Sequence, residues 1–151
     1  MDTFMKQAIQ LALDNVKQGG QPFGAVLVRD NEVISDGVNE LHIHFDISGH
    51  AELLAIRRAQ AKLQKLDLSD CTIYASGEPC SMCLTAMYFA GIKTVYYAAS
   101  VDDAEKAGLG KSKMIYLDLA KERNEREINI IHMPNDKSIA DPMKQWEEIQ
   151  K

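Results

Sequence analysis

Two short stretches carry the residues able to do chemistry: His50-Ala51-Glu52 and Pro79-Cys80-Ser81-Met82-Cys83. One imidazole and two thiols suit zinc, and three protein ligands leave the fourth tetrahedral position open for water. Glu52 stands two residues after the histidine, where it does not easily share the ligand role, and is the candidate proton carrier. Zinc held by His50, Cys80 and Cys83 would lower the pKa of a water toward about 7. Glu52 would take that proton, pass it to a ring nitrogen of an amidine-like heterocycle, and later protonate the departing ammonia.

Each half of the pattern is weak alone. Cys-x-x-Cys by itself also fits a redox dithiol or a chance pair, and His-x-Glu fits any helix start with a carboxylate in its first turn. Together they carry Pro79 before the first cysteine, a spacing of thirty residues from His50 to Cys80, and an intervening strand. That combination is the H-x-E…P-C-x-x-C signature of zinc nucleobase deaminases. Both halves are expected at helix starts, where the positive end of the dipole favours thiolates. A purely structural zinc site would need a fourth protein ligand, which His42, His44 or His132 could supply. In a polar loop, His42 and His44 could equally touch a substrate or lie on the surface.

The elements that position these residues follow from periodicity. Residues 2–17 have apolar positions at helical spacing, with Asp2 or Thr3 as cap and Gly19-Gly20 as the stop. Ala25–Arg29 and Glu32–Ser35 read as strands around an Asp30-Asn31 turn. After an irregular loop, His50 opens a helix reaching about Leu66. Cys71–Ala75 is a strand, Cys80–Ala90 a helix closed by Gly91, and Thr94–Ala98 another strand. Asp102–Lys113 is a charged loop or short helix, and Met114–Ala120 is expected to be helical. Glu127–His132 is expected as a fifth strand, and Ile139–Ile149 as a terminal helix. The result is an α/β chain: a three-layer α-β-α arrangement with a mixed central sheet of about five strands.

At 151 residues, 46% hydrophobic and 26% charged, the chain is expected to be a single domain spanning residues 1–151. No apolar run approaches the ~20 residues of a membrane span, and the first residues lack the pattern of a signal peptide. Two of the three cysteines share the Cys-x-x-Cys, which fits a reducing compartment, and the expected location is the cytoplasm. A net charge of −5 argues against a nucleic-acid partner, which usually meets a basic face. Lys111 and Lys113 come close together but read as a solvated loop. Cys71 opens a strand and reads as a small buried hydrophobe. Tyr96 and Tyr97 read as sheet packing.

The sequence resembles the cytidine/deoxycytidylate deaminase superfamily, and within it the branch of bacterial guanine deaminases and tRNA adenosine deaminases. The matching motifs are Pro22-Phe23-Gly24-Ala25-Val26, Asn39, His50-Ala51-Glu52, Glu78-Pro79-Cys80-Ser81-Met82-Cys83 and Val95-Tyr96-Tyr97-Ala98-Ala99. Ala107-Gly108 and the late Pro142…Trp146 look most like the guanine deaminases. The resemblance implies a cytidine deaminase-like fold, one zinc per chain on His50, Cys80 and Cys83, and Glu52 as proton shuttle. It further implies that Asn39 and the backbone of Ala51 hold the base and that Phe23 stacks on it, with Phe89 where guanine deaminases tend to place an aromatic. Phe23 and Phe89 could instead be core packing, and Asn39 a turn residue.

The implied substrate is a small nucleobase or nucleoside, with a guanine-like purine favoured. The implied assembly is a homodimer that exchanges C-terminal segments. The alternatives are a tRNA adenosine deaminase, a deaminase of cytosine, isocytosine or a triazine, and a non-enzymatic zinc-stabilised binding module. Two departures stand out. Guanine deaminases carry an acidic residue in a Gly-Phe-Asp-Asp-like stretch, where this chain has Gly108-Leu109-Gly110-Lys111-Ser112. Lysine donates where a carboxylate accepts, so Lys111 would meet a carbonyl-bearing base or point into solvent. The chain also ends Gln150-Lys151 rather than in an aromatic residue.

Overall fold

Local signals set most of the elements. In the computed structural model, which describes residues 2–151, Asp2 caps the first helix by accepting from Phe4 N at 2.7 Å and Met5 N at 3.1 Å. That helix, α1, runs Thr3–Lys17. Strands β1 (Gly24–Arg29) and β2 (Glu32–Val38) form a hairpin around Asp30 and Asn31. Both turn residues have positive φ, 49° and 64°, the backbone a two-residue hairpin requires. Helix α2 (Ala51–Leu63) follows, then β3 (Thr72–Gly77), α3 (Ser81–Ala90) and β4 (Thr94–Ala99). Gly91 ends α3 at φ 78°.

The sheet is mixed, in the order β2-β1-β3-β4. β1 pairs antiparallel with both β2 and β3, and β3 pairs parallel with β4. Alternate residues of β1 face opposite sides, and Ala25, Val26, Leu27 and Val28 are all buried, so both faces of the sheet are covered. One side carries the main core, where Ala25, Leu27, Ile73 and Ala75 meet Ala51, Ala55 and Ala59 of α2 and Met87 and Ala90 of α3. On α1, Met5, Ala8 and Ala12 are buried, and Phe4 lies 5.4 Å from Tyr74, which stacks on Tyr96 at 5.1 Å. Tyr96 of β4 is thus part of sheet packing, as its place in a strand suggested.

Two further helices, α4 (Val101–Lys106) and α5 (Lys111–Leu119), follow β4. The chain falls into two compact units, residues 1–117 and 118–151. The second unit contains a 3-10 turn, Arg123–Glu125, and helix α6, Pro142–Gln150. Within it Arg126 donates to the Leu119 carbonyl at 2.9 Å.

The sheet has four strands among the described residues, and the expected fifth at 127–132 does not form. Ile128, Ile130 and Ile131 are 75%, 61% and 82% exposed, so this segment buries no face that could offset the entropy of ordering a strand. No helix among the described residues is long and apolar enough to cross a membrane.

Candidate metal and base site

The ligand residues occupy the caps of two helices that start side by side. His50 is the N-cap of α2 and Cys80 the N-cap of α3, both in extended backbone conformation. The Cys80 thiol accepts from the Cys83 backbone N–H at 3.5 Å, so one of the free donors at the start of α3 points at sulfur. Three residues on, Cys83 turns the same way and is fully buried.

The His50 Nδ1 atom lies 3.5 Å from Cys80 Sγ and 3.7 Å from Cys83 Sγ. A tetrahedral zinc with Zn–S of about 2.3 Å and Zn–N of about 2.0 Å would separate sulfur and nitrogen by about 3.5 Å. The donor set and its spacing therefore fit zinc. Among the described residues no fourth His, Cys, Asp or Glu joins the group. His42 and His44 lie exposed on the 40–49 loop, so the surface reading of both is the one the fold adopts.

The two thiols and the imidazole shift one another's protonation. Hydrogen bonding from Cys83 and from His50 pulls the Cys80 thiol well below its ordinary value. The bond to Cys80, together with burial, pushes Cys83 up. The Cys80 contact raises His50 against the effect of its own burial. Glu52, in the first turn of α2, is 6% exposed, and desolvation lifts its pKa to about 7.

Asn39 is 1% exposed and hydrogen-bonded through both its side chain and its backbone, with one amide N–H left over. Its side chain donates to Gln21 Oε1 at 3.3 Å and accepts from Leu41 N at 3.1 Å. Its backbone N–H donates to the Phe23 carbonyl at 3.1 Å, and its carbonyl accepts from Asn15 Nδ2 at 2.9 Å. Phe23 is half-buried against the core, and a Cβ at Gly77 would stand 2.8 Å from its ring, so only glycine leaves that ring its place. Ala51 is fully buried next to His50. Phe89 is 89% exposed near the end of α3, so the fold of one chain leaves it out of the core and out of the cysteine cluster. Lys111 is exposed at the first position of α5. Lys113 is paired with Asp102 at 2.7 Å and Glu105 at 3.1 Å.

Two residues near the site gave no signal in the sequence. Asn15, buried on α1, donates to the carbonyls of Gln21 and Asn39 and so ties the Phe23 segment to the Asn39 loop. Tyr116 of α5 donates its hydroxyl to the Pro79 carbonyl at 2.5 Å, and burial pushes its pKa up to about 12.

Residues 1–99 match the family model described as the cytidine and deoxycytidylate deaminase zinc-binding region. The chain belongs to this deaminase family. It is a hydrolase acting on C–N bonds, and His50, Cys80 and Cys83 form a group that can hold the family's zinc. It is 41% identical to the guanine deaminase of Bacillus subtilis over 146 residues, covering 96% of this chain and 92% of that one. The crystal structure of guanine deaminase from Bacillus subtilis superimposes with a TM-score of 0.89 at 40% identity, covering 98% of this chain and 95% of that one. The tRNA-specific adenosine deaminase of Aquifex aeolicus is 35% identical over 96 residues, 64% of each chain. The four-stranded mixed sheet flanked by helices is the fold of this family.

Proposed function

We propose that this chain removes the amino group of a free nucleobase, with a guanine-like purine as substrate. The observation that carries the reading is the three-ligand cluster beside a buried carboxylate, in a chain similar to a guanine deaminase over 96% of its length. Similarity to tRNA-specific adenosine deaminases is lower, 35% over 64% of the chain for that of Aquifex aeolicus and 32% over 80% for that of Buchnera aphidicola, which favours the free base over tRNA.

In this reading His50, Cys80 and Cys83 would hold zinc through one nitrogen and two sulfurs. Zinc bound there supplies a water acidified toward a pKa of about 7. Glu52 would take one proton from the attacking water and deliver it to a ring nitrogen of the base, then take the second from the hydroxyl so formed and pass it to the amino group as it leaves. Burial raises the Glu52 carboxyl above the usual carboxylate range, which suits a group that must both hold and release a proton. Water adds at the carbon bearing the amino group, the C–N bond breaks, and the products are an oxo base and ammonia. Asn39 offers its amide to the base edge, Phe23 offers a ring face, and the Ala51 backbone lies next to the ligand histidine. Phe89, open to solvent in one chain, is available to a substrate or to a second copy.

The reading brings with it one deaminase unit per chain across residues 1–151, a homodimer exchanging C-terminal segments, and a cytoplasmic location. Residues 118–151 form a compact unit of their own, which supports the exchange. A net charge of −5 supports a small-molecule partner rather than RNA.

An ammonia-release screen over guanine, isoguanine, adenine, cytosine, isocytosine, triazines and their nucleosides tests the proposal. One preferred purine base is the expected result. No release from any of them by the zinc-loaded protein would overturn it. Salt-sensitive tRNA binding with release only from tRNA would transfer the reading to the adenosine deaminases.

A further inference from the structure

The loop that delivers Cys80 to the start of α3 is short, and every residue of it before the ligand is tied to the chain that follows β4. The Glu78 N–H donates to the Ala99 carbonyl at 2.7 Å, and the Glu78 carboxylate accepts from Val101 N at 3.0 Å. Pro79 has no N–H, so its carbonyl is its one backbone group for hydrogen bonding. That carbonyl accepts from the Tyr116 hydroxyl at 2.5 Å, across 37 residues of sequence. The next peptide is Cys80, whose sulfur lies 3.5 Å from His50 Nδ1.

We propose that Tyr116 is a positioning residue for the metal centre: by holding the Pro79 carbonyl it fixes where the Cys80 sulfur stands relative to His50 and Cys83. The inference rests on the reading of those three residues as a zinc site. Cys80 caps its helix from the first position outside it, so no helical turn precedes it to hold the sulfur in place. Cys83 N and Leu84 N hold Cys80 from the helix side, and from the loop side it is held through Pro79, which Tyr116 anchors. Without the hydroxyl the loop keeps its Glu78 anchors, but the peptide that leads into Cys80 is released. Partners that orient ligand residues typically contribute about 10–100-fold in metal affinity.

The test is Tyr116→Phe, which keeps the ring and removes the one donor. Zinc affinity is measured by competition with a chromophoric chelator, alongside thermal melting of the zinc-free protein and the visible spectrum of the cobalt-substituted form. The expected result is zinc binding weakened about 10–100-fold, altered cobalt bands, and a zinc-free melting temperature close to that of the unsubstituted protein. A variant chain that folds only at raised zinc also supports the proposal. One that stays unfolded at saturating zinc overturns it, since the hydroxyl then serves the fold. Affinity within twofold of the unsubstituted protein overturns it too. So does lost turnover with affinity intact, which would move the hydroxyl's role to the substrate. Failure of the unsubstituted protein to hold zinc brings down the zinc reading and this one together, whereas unchanged affinity in the variant alone removes only Tyr116.

Discussion

Burial decides what Glu52 can do. A carboxyl 6% exposed in the first turn of α2, which burial raises above the usual carboxylate range, is poised to hold a proton or give it up. Glu52→Gln keeps the volume and a hydrogen-bonding tip but removes the exchangeable proton. Turnover should fall by about 10²–10⁴-fold, with zinc content by metal analysis unchanged. Full activity in that variant would end the proton-carrier role.

Asn15 makes a different kind of prediction. It bridges two carbonyls, so Asn15→Ala leaves the buried Asn39 O without its donor, while Gln21 O keeps the Phe23 N–H. The expected loss is about 1–3 kcal/mol in urea unfolding, with a raised KM because Asn39 and the Phe23 segment lose a shared anchor. Unaltered stability and KM would show that water replaces the amide at no cost. The ligand trio was legible in the sequence because its members are grouped within a helical turn or fixed by a known spacing. Asn15 and Tyr116 were not, because their partners lie 24 and 37 residues away and a linear pattern carries no sign of such pairings.

Two helix starts must meet for the site to exist, and the sheet arranges that meeting. β3 leads into the Cys80 loop, and β2 leads through the 40–49 loop to His50. The approach of β2 to α2 is so close that a Cβ at Gly37 would stand 2.4 Å from the Ala51 carbonyl oxygen. Gly37→Ala therefore has to push β2 and the start of α2 apart. The expected cost is about 1–3 kcal/mol, read by denaturant unfolding, together with weaker zinc binding because His50 caps the displaced helix. Unchanged stability and unchanged zinc affinity would contradict this placement of the helix.

Helices α1, α2 and α3 and strands β1 to β4 were all legible from caps, periodicity and turn residues, within a few residues at each end. The Ile128–Ile131 segment shows why the fifth strand was misread. Alternating isoleucines signal a strand only when one face is buried, and here all three side chains are exposed and pair with no neighbour in the sheet. Helix α5 was legible as a helix, but its hold on the Cys80 loop was not.

At the scale of the whole molecule, the question is whether metal makes the fold or the fold makes the metal site. Small zinc modules are unfolded without their ion because they bury too little else. Here Leu27, Leu68 and Ile73 are fully buried at the centre of a core that joins α2, α3 and the sheet without using any ligand residue's metal bond. The core therefore brings the His50 and Cys80 caps together before zinc arrives, and zinc adds its binding energy to a structure already formed. Chelation should accordingly lower the melting temperature without abolishing the cooperative transition. Far-ultraviolet circular dichroism at room temperature should stay native-like. Restoring zinc to one hundred times its dissociation constant should return about 2.7 kcal/mol. The increment should be smaller in Tyr116→Phe at the same free zinc, because that variant binds the ion less tightly. A chelated protein with no cooperative transition would show that the core is insufficient alone, and one with an unchanged melting temperature would show that the cluster does not bind zinc in the folded state.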